Sequence, residues 1–273
     1  MARKSCFRVL GLGLLGVWAA ACGGPAPGAD VEVQTANLVT SNALSMNALS
    51  MNALSMNALS MNALSMNALS MNALSMNALS MNALVASKLS DPLAREFLKY
   101  VVSCALDDDA SIKMTIDGTK YTFPGSLGLA TDWGERNGHC DAECQRWVSA
   151  CVLARVDFMG VAKPISLRGA NRALKTTRDE LRSFPEREAT YYGNLWADGA
   201  PKYACLAPGK DEIPRVCGDS LDNCPMQVVG SCARACSYEG LTGGFVDCSS
   251  SGKARKPETF HESVTVFLPR SEM

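Results

Sequence analysis

The feature that most constrains this chain is a five-residue repeat. From Ser41 to Leu84 the sequence Asn-Ala-Leu-Ser-Met recurs without substitution, in nine Asn-Ala-Leu units. On an α-helix five residues turn through about 500°, so successive leucines lie about 140° apart and no single apolar face forms. On a strand an odd period points successive leucines to alternate faces. A coil that turns a corner every fifth residue would instead place every leucine inside.

Such a coil resembles the pentapeptide-repeat solenoid, whose pattern is a small residue, Asn or Asp, Leu and two variable positions. Residues 36–40 (Ala-Asn-Leu-Val-Thr) follow that pattern, whereas the nine regular units carry Asn at the inward position, where a buried polar side chain needs partners. Two other conformations stay open for the tract of residues 36–90. Ala, Leu and Met favour a nearly apolar helix, and a short expanded repeat also suits a disordered spacer.

The N-terminus has the composition of a secretory signal. Arg3, Lys4 and Arg8 are followed by an apolar run over residues 9–17, and three alanines precede Cys22. This arrangement resembles the lipobox of bacterial lipoproteins, which implies removal of residues 1–21 and acylation of Cys22. The alternative is an ordinary signal peptide with a chance cysteine. Several acyl chains on one residue would anchor the chain stably, and residues 22–35 would form a flexible lipidated tether.

Charge excludes one class of partner. Cleavage before Cys22 removes three basic residues and leaves 23 basic against 27 acidic side chains, a net charge of about −4. A domain that binds nucleic acid normally carries a basic surface. We therefore expect no nucleic-acid partner, and a membrane contact made through the N-terminal lipid. The expected location is the bacterial cell envelope, on the outer membrane and facing the periplasm or the surface.

Residues 91–273 predict a disulfide-stabilised α+β domain, long enough to enclose a core. Asp91 and Pro92 favour the start of a helix that ends near residues 107–109, and Asp117-Gly118 is typical of a hairpin turn. A second helix is expected from about Asp141 to Phe158. The expected strands are Ser111–Ile116, Thr119–Phe123, Val161–Leu167, Lys202–Leu206 and Ser263–Leu268.

The cysteines indicate a disulfide framework, because ten remain in the mature chain beyond Cys22 and an even number in an exported protein favours pairing. They are Cys104, Cys140, Cys144, Cys151, Cys205, Cys217, Cys224, Cys232, Cys236 and Cys248. We predict that Cys104 bonds to Cys151 or Cys144, since both lie on the apolar stripe of the second helix. The i, i+4 pairs 140/144 and 232/236 are expected to bond other partners rather than each other. Zinc is the alternative, although no Cys-x-x-Cys pair is present.

No residue is assigned a catalytic, metal-binding or cofactor-binding role. A Cys140–His139 nucleophile would need a free thiolate, and a serine hydrolase would need a Gly-x-Ser-x-Gly turn, which the sequence lacks. Acids for glycosidase chemistry are available, but their spacing singles out no pair. These acids are Asp132, Glu135, Asp141 and Glu143.

Four aromatic residues are the candidate ligand-binding group: Tyr191, Tyr192, Trp196 and Tyr203. Aromatic side chains recognise carbohydrates and peptides well because they offer a large contact area at little entropic cost. In a disulfide-rich domain the same residues also serve to fill the core. Both interpretations stay open at this point.

Several segments together resemble an uncharacterised family of bacterial exported lipoproteins, in which Leu-Asn-Gly-Leu-like repeats precede a cysteine-rich domain. The similarity covers most of residues 36–268, with Ala standing where those repeats have Gly. It implies architecture and location and carries no established activity. The segments are residues 91–106, 147–155, 165–169 and 192–195.

The sequence therefore predicts a cell-envelope lipoprotein that displays a non-catalytic structural or binding module on a repeat spacer. Envelope polysaccharide or a protein is the expected partner. Two alternatives remain: an exported hydrolase that uses acidic residues, and a thiol-based redox protein.

Overall fold

The computed structural model describes residues 55–57, 59–60, 89–134, 139–158, 163–250 and 257–270. The expected signal peptide, the expected tether with Cys22 and most of the repeat tract lie outside these residues. The predicted lipidation of Cys22 and the predicted conformations of the tract therefore concern residues outside the described ones, apart from two short segments of the tract. What the structure describes is the cysteine-rich domain, which combines helices and sheets as the α+β prediction requires.

The tract contributes two short strands that precede the domain, β1 (Ser55–Asn57) and β2 (Leu59–Ser60). The helices are α1 (Pro92–Ala105), α2 (Ala142–Ala154), α3 (Arg178–Ser183), α4 (Pro214–Cys217) and α5 (Cys232–Ala235). The first strands of the domain are β3 (Ser111–Ile116), β4 (Thr119–Pro124), β5 (Val156–Asp157), β6 (Lys163–Arg168), β7 (Glu186–Gly193) and β8 (Lys202–Leu206). The later ones are β9 (Gln227–Ser231), β10 (Ser237–Tyr238), β11 (Phe245–Val246), β12 (Cys248–Ser249), β13 (Thr259–Phe260) and β14 (Ser263–Leu268).

A six-stranded sheet organises the domain, with strand order β1-β6-β14-β7-β8-β9. Every neighbouring pair is antiparallel except β8 and β9, which run parallel. The expected strands 202–206 and 263–268 are confirmed, and β6 overlaps the strand expected at 161–167. The last strand is buried at five of its six residues rather than alternating, because it lies inside the sheet between β6 and β7.

The C-terminal half of helix α2 is buried on all sides. Its residues from Trp147 to Ala154 are all buried, because the helix packs between α1 and strands β7 and β14. The Asp141 side chain caps its first turn by accepting a hydrogen bond from Cys144 N at 2.9 Å. The helix ends at Ala154 rather than near Phe158 as predicted, since Val156 and Asp157 already pair with β2.

Helix α1 begins as its sequence predicts: Asp91 Oδ1 accepts from Leu93 N at 2.9 Å and Pro92 occupies the first turn. Its C-terminal carbonyls are satisfied by the loop 125–130 rather than by solvent. Leu127 N, Leu129 N and Ala130 N donate to the carbonyls of residues 103, 104 and 105. A Cβ at Gly125 would lie 2.1 Å from Asp107 O, so this close approach requires glycine.

The hairpin prediction is confirmed residue by residue. Strands β3 and β4 pair from Ser111↔Pro124 to Ile116↔Thr119, around the turn at Asp117-Gly118, where both residues have positive φ. The hairpin packs against α1 through β4. Residues 171–185 contain a 3₁₀ turn at Arg172–Leu174 and helix α3, which Thr177 and Glu180 start with a reciprocal capping box.

Five disulfides join the ten cysteines of the domain. They are Cys104–Cys151, Cys140–Cys144, Cys205–Cys232, Cys217–Cys224 and Cys236–Cys248. The predicted bond of Cys104 to the second helix is confirmed, with Cys151 as the partner, and it ties α1 to α2. Cys232 and Cys236 bond different partners, also as predicted.

The prediction for Cys140 and Cys144 was wrong, because these two cysteines bond each other. The prediction placed both on one helix, but α2 begins at Ala142 and Asp141 is its N-cap. Cys140 therefore lies before the helix, outside regular secondary structure, and its Cα is 5.2 Å from that of Cys144. The bond closes a small loop around the start of α2.

Candidate functional site

The four aromatic residues do not form one platform. Tyr191 and Tyr192 are adjacent on β7, so their side chains point to opposite faces of the sheet and join different hydrophobic clusters. Both are fully buried. Tyr192 stacks on Tyr203 with ring centroids 5.6 Å apart, and Phe260 packs against both rings. Trp196 packs at the edge of the larger cluster. This placement favours the core-filling interpretation for Tyr191 and Tyr192.

Tyr191 belongs to a buried ionic network. Arg215 Nε donates to Glu188 Oε1 at 2.9 Å, and Tyr191 OH donates to Glu188 Oε2 at 3.0 Å. Arg215 Nη1 also donates to Val156 O at 2.6 Å, and only 7% of Arg215 is exposed. Burial by itself lowers the pKa of Arg215, but Glu188 and Tyr191 outweigh it and leave that pKa raised. The network therefore joins α4 to β7 as a charged, architectural unit.

Two further arginines are also buried. Arg155 donates to Ser103 Oγ at 2.8 Å, and burial lowers its pKa to about 10. Arg168 donates to Phe184 O at 2.6 Å and lies 3.7 Å from the centroid of the Phe267 ring. Both guanidinium groups hold neighbouring segments together, which is a structural role.

A cleft of about 550 Å³ opens where the turn before β8 faces the start of β9. Four of its lining residues carry polar side chains: Asp198, Lys202, Tyr203 and Gln227. The apolar part of the lining consists of Ala200, Pro201, Cys224, Pro225 and Met226. Cys224, one of the lining residues, is bonded to Cys217 at the end of α4, so a disulfide ties one side of the cleft to that helix.

Lys202 is the distinctive charge of this cleft. Burial lowers the pKa of its ammonium group because the side chain leaves bulk water. The position follows from the fold, since Lys202 pairs with Gly193 in the β7–β8 ladder. A Cβ at Gly193 would lie 2.2 Å from Pro201 O, so the two strands approach closely only because that residue is glycine. The residues that line the cleft carry a carboxylate, an ammonium, a phenol and a carboxamide, which are groups that hydrogen-bond to polar ligands.

Neither histidine lines this cleft. His139 is exposed beside Cys140, whose sulfur is bonded to Cys144, so no Cys–His nucleophile exists there. His261 Nδ1 lies 2.8 Å from Asp247 Oδ1 in an exposed pair. The acids considered for glycosidase chemistry are dispersed: Asp132 lies in a 3₁₀ turn, while Asp141 and Glu143 lie at the start of α2. Glu135 lies outside the described residues.

One group of three metal-ligating side chains is close enough in the described part of the chain to hold an ion. The sulfurs of Cys205, Cys232 and Cys236 lie within 4.8 Å of one another. All three sulfurs are in disulfides, and a disulfide sulfur is not the thiolate that binds zinc. The group is instead two adjacent disulfides, with Cys205 Sγ and Cys236 Sγ 3.5 Å apart.

Sequence reasoning did not find the cleft. Of the four aromatic candidates, Tyr203 is the one that lines it. Lys202 stood inside a predicted strand and gave no signal of its own, and Asp198 and Gln227 come together only when β8 and β9 pair in parallel. The loop-forming Cys217 and Cys224 were the one available indication that this region is held rigidly.

The described residues include no helix long and apolar enough to span a membrane. Comparisons of the chain with protein-family models, with curated proteins and with solved structures give no match. The functional argument therefore rests on the residues and geometry described above.

Proposed function

We propose that the chain is a bacterial cell-envelope lipoprotein that displays residues 91–273 as a non-catalytic binding module. The observation that carries this proposal is that all ten cysteines of the domain pair with one another. Five internal disulfides make a rigid support of the kind that exported domains use. Such a frame holds the polar cleft in one shape, which is what a pre-organised binding site needs.

The ligand that the cleft suits best is an envelope polysaccharide. Hydroxyl groups of a sugar can donate to Asp198 and can accept from Lys202, while Gln227 can do both. Tyr203 also lines the cleft, with its ring stacked on Tyr192. These are the convergent polar groups on a partly apolar wall that characterise small-ligand clefts.

Replacing Lys202 with alanine is expected to weaken polysaccharide binding about tenfold or more, because a hydrogen bond to a charged group contributes about 1.5–3 kcal/mol. Gln227→Ala is expected to have a smaller effect. Binding would be measured by calorimetry with purified envelope polysaccharide and with soluble peptidoglycan fragments. The matched control is Lys113→Ala, an exposed lysine on β3 in the separate β3–β4 hairpin. Equal affinities of the Lys202 and Lys113 variants would contradict the assignment of the cleft.

Anchoring would be tested at Cys22. Cys22→Ser is expected to abolish incorporation of labelled fatty acid and to move the protein from the membrane fraction to the soluble fraction, because the acylated sulfur is lost. Cys6→Ser is the matched control, since Cys6 leaves with the signal peptide and its loss should change neither measurement. Fatty-acid labelling that survives in the Cys22 variant would contradict the anchor.

A thiol-redox protein is the second candidate, favoured by the 3.5 Å contact between Cys205 Sγ and Cys236 Sγ. A dithiol reductant that opens Cys236–Cys248 would release a thiolate positioned to attack Cys205 and to displace Cys232. The binding module instead predicts no free thiol in the native protein and ten after full reduction. Intact mass after alkylation, with and without reduction, distinguishes them: one or two native free thiols would favour the redox protein.

A further inference from the structure

One unit of the repeat tract is part of the domain. Strand β1 pairs antiparallel with β6, through Ser55↔Ile165, Met56↔Pro164 and Asn57↔Lys163. One residue later, β2 pairs in parallel with β5, through Leu59↔Val156 and Ser60↔Asp157. A single Ser-Met-Asn-Ala-Leu-Ser segment therefore makes both pairings, and it completes the edge of the six-stranded sheet.

The contact is made by the backbone. Antiparallel pairs alternate between hydrogen-bonded and non-hydrogen-bonded types, and Pro164 has no N–H to exchange with Met56. The reciprocal hydrogen bonds therefore fall on the pairs that flank it, Ser55↔Ile165 and Asn57↔Lys163. Without β1, these groups of β6 would form an open sheet edge, which is the surface that strand addition uses for recognition.

The docked segment is not unique in sequence. Ser-Met-Asn-Ala-Leu-Ser occurs seven times, beginning at Ser45 and then every five residues to Ser75. Each copy presents the same side chains and the same backbone groups in the same order. If the tract slides by five residues along β6 and β5, every pairing is therefore restored with an identical residue. A slide of one residue would instead point each side chain of the unit to the opposite face of the sheet.

We propose that the edges of β6 and β5, which belong to different sheets, together form a docking site for any one of the seven identical units of the chain's own tract. The domain then exchanges between units in steps of five residues. Five paired residues make a marginal contact on their own, so the exchange is reversible. Docking within one chain prevails over docking between chains, because a site tethered to its partner meets it at an effective concentration of about a millimolar.

Exchange between units would set the length of the tether. If the unit at Ser45 docks, 22 residues separate it from Cys22, and if the unit at Ser75 docks, 52 residues do so. For a flexible chain these lengths correspond to mean spans of about 25 Å and about 40 Å. This consequence, unlike the docking itself, rests on the proposed anchor at Cys22. A tether of variable length would let the module reach partners at different heights above a membrane.

The test is amide hydrogen exchange in the full mature chain, followed by NMR at Ile165 and Lys163. In Asn57→Pro one unit loses a backbone donor, and the loss of one docking unit in seven should raise exchange at Ile165 by no more than about 1.2-fold. Prolines in all seven units should raise it at least about tenfold. The seven positions are Asn47, Asn52, Asn57, Asn62, Asn67, Asn72 and Asn77.

Two controls make the result decisive. In the first control, leucine replaces methionine in all seven units, at Met56 and its equivalents. This variant keeps every backbone donor, so Ile165 should be as well protected from exchange as in the unaltered chain. Continued protection of Val266, in the interior strand β14, would show that the proline variants remain folded. Light scattering should give the mass of a monomer throughout.

Three outcomes would overturn the proposal. Full loss of protection in Asn57→Pro alone would mean that one unit is bound uniquely. Unchanged protection in the sevenfold proline variant would mean that no unit docks. A dimer whose formation restores protection would mean that the unit comes from a second chain. None of these depends on lipid at Cys22 or on ligand in the cleft, so failure here leaves the proposed function standing.

Discussion

Replacing Arg215 with methionine should lower the free energy of unfolding by about 3–5 kcal/mol, because it leaves the Glu188 carboxylate buried without its cation. Glu188 is 5% exposed, and its remaining side-chain partner would be the Tyr191 hydroxyl. Without the guanidinium, α4 also loses its bond to Val156 O. Urea denaturation followed by tryptophan fluorescence would measure the effect.

The matched control is Arg182→Met. Its partner Asp179 is one helical turn away, and more than 70% of each side chain is exposed. Exposed pairs of this kind contribute at most about 1 kcal/mol. The double variant Arg215→Met with Glu188→Leu should recover much of the loss, since removing both charges avoids the unpaired one. Similar losses in Arg215→Met and Arg182→Met would show that the buried network does not stabilise the domain.

Removing the Cys104–Cys151 disulfide should have an effect of the same size. The bond closes a loop with a sequence separation of 47 residues, and the chain-entropy relation gives about 4 kcal/mol for a loop of that length. Both cysteines are fully buried between α1 and α2, so alanine at these positions also leaves a small cavity. The measurement is urea denaturation of the double-alanine variant, expressed in an oxidising compartment.

The Cys140–Cys144 bond provides the comparison, because its sequence separation is 4 and the same relation gives about 2 kcal/mol. The double-alanine variant at Cys140 and Cys144 should therefore lose roughly half as much stability. If the short loop proves as important as the long one, restriction of the unfolded chain is not the source of the stabilisation. Local support for the start of α2 would then be the better explanation.

Local sequence determined several parts of this domain. Asp91 and Pro92 start α1, and Asp117-Gly118 makes the β3–β4 turn, because capping and turn formation involve residues within a few positions of each other. The even number of cysteines predicted full pairing, and the apolar stripes of α1 and α2 predicted the Cys104 bond. Each of these follows from residue type and spacing without knowledge of the whole fold.

Tertiary structure decided the rest. Strand β7 was not predicted, because Tyr191 and Tyr192 are buried on opposite faces and so show no alternation. The cleft of Lys202 and Gln227 exists only where β8 and β9 pair in parallel. The repeat set a period of five, but β6 and β5 supplied the edge that makes one unit a strand. Backbone pairing between segments about a hundred residues apart depends on which edges a sheet leaves open, and no local pattern records that.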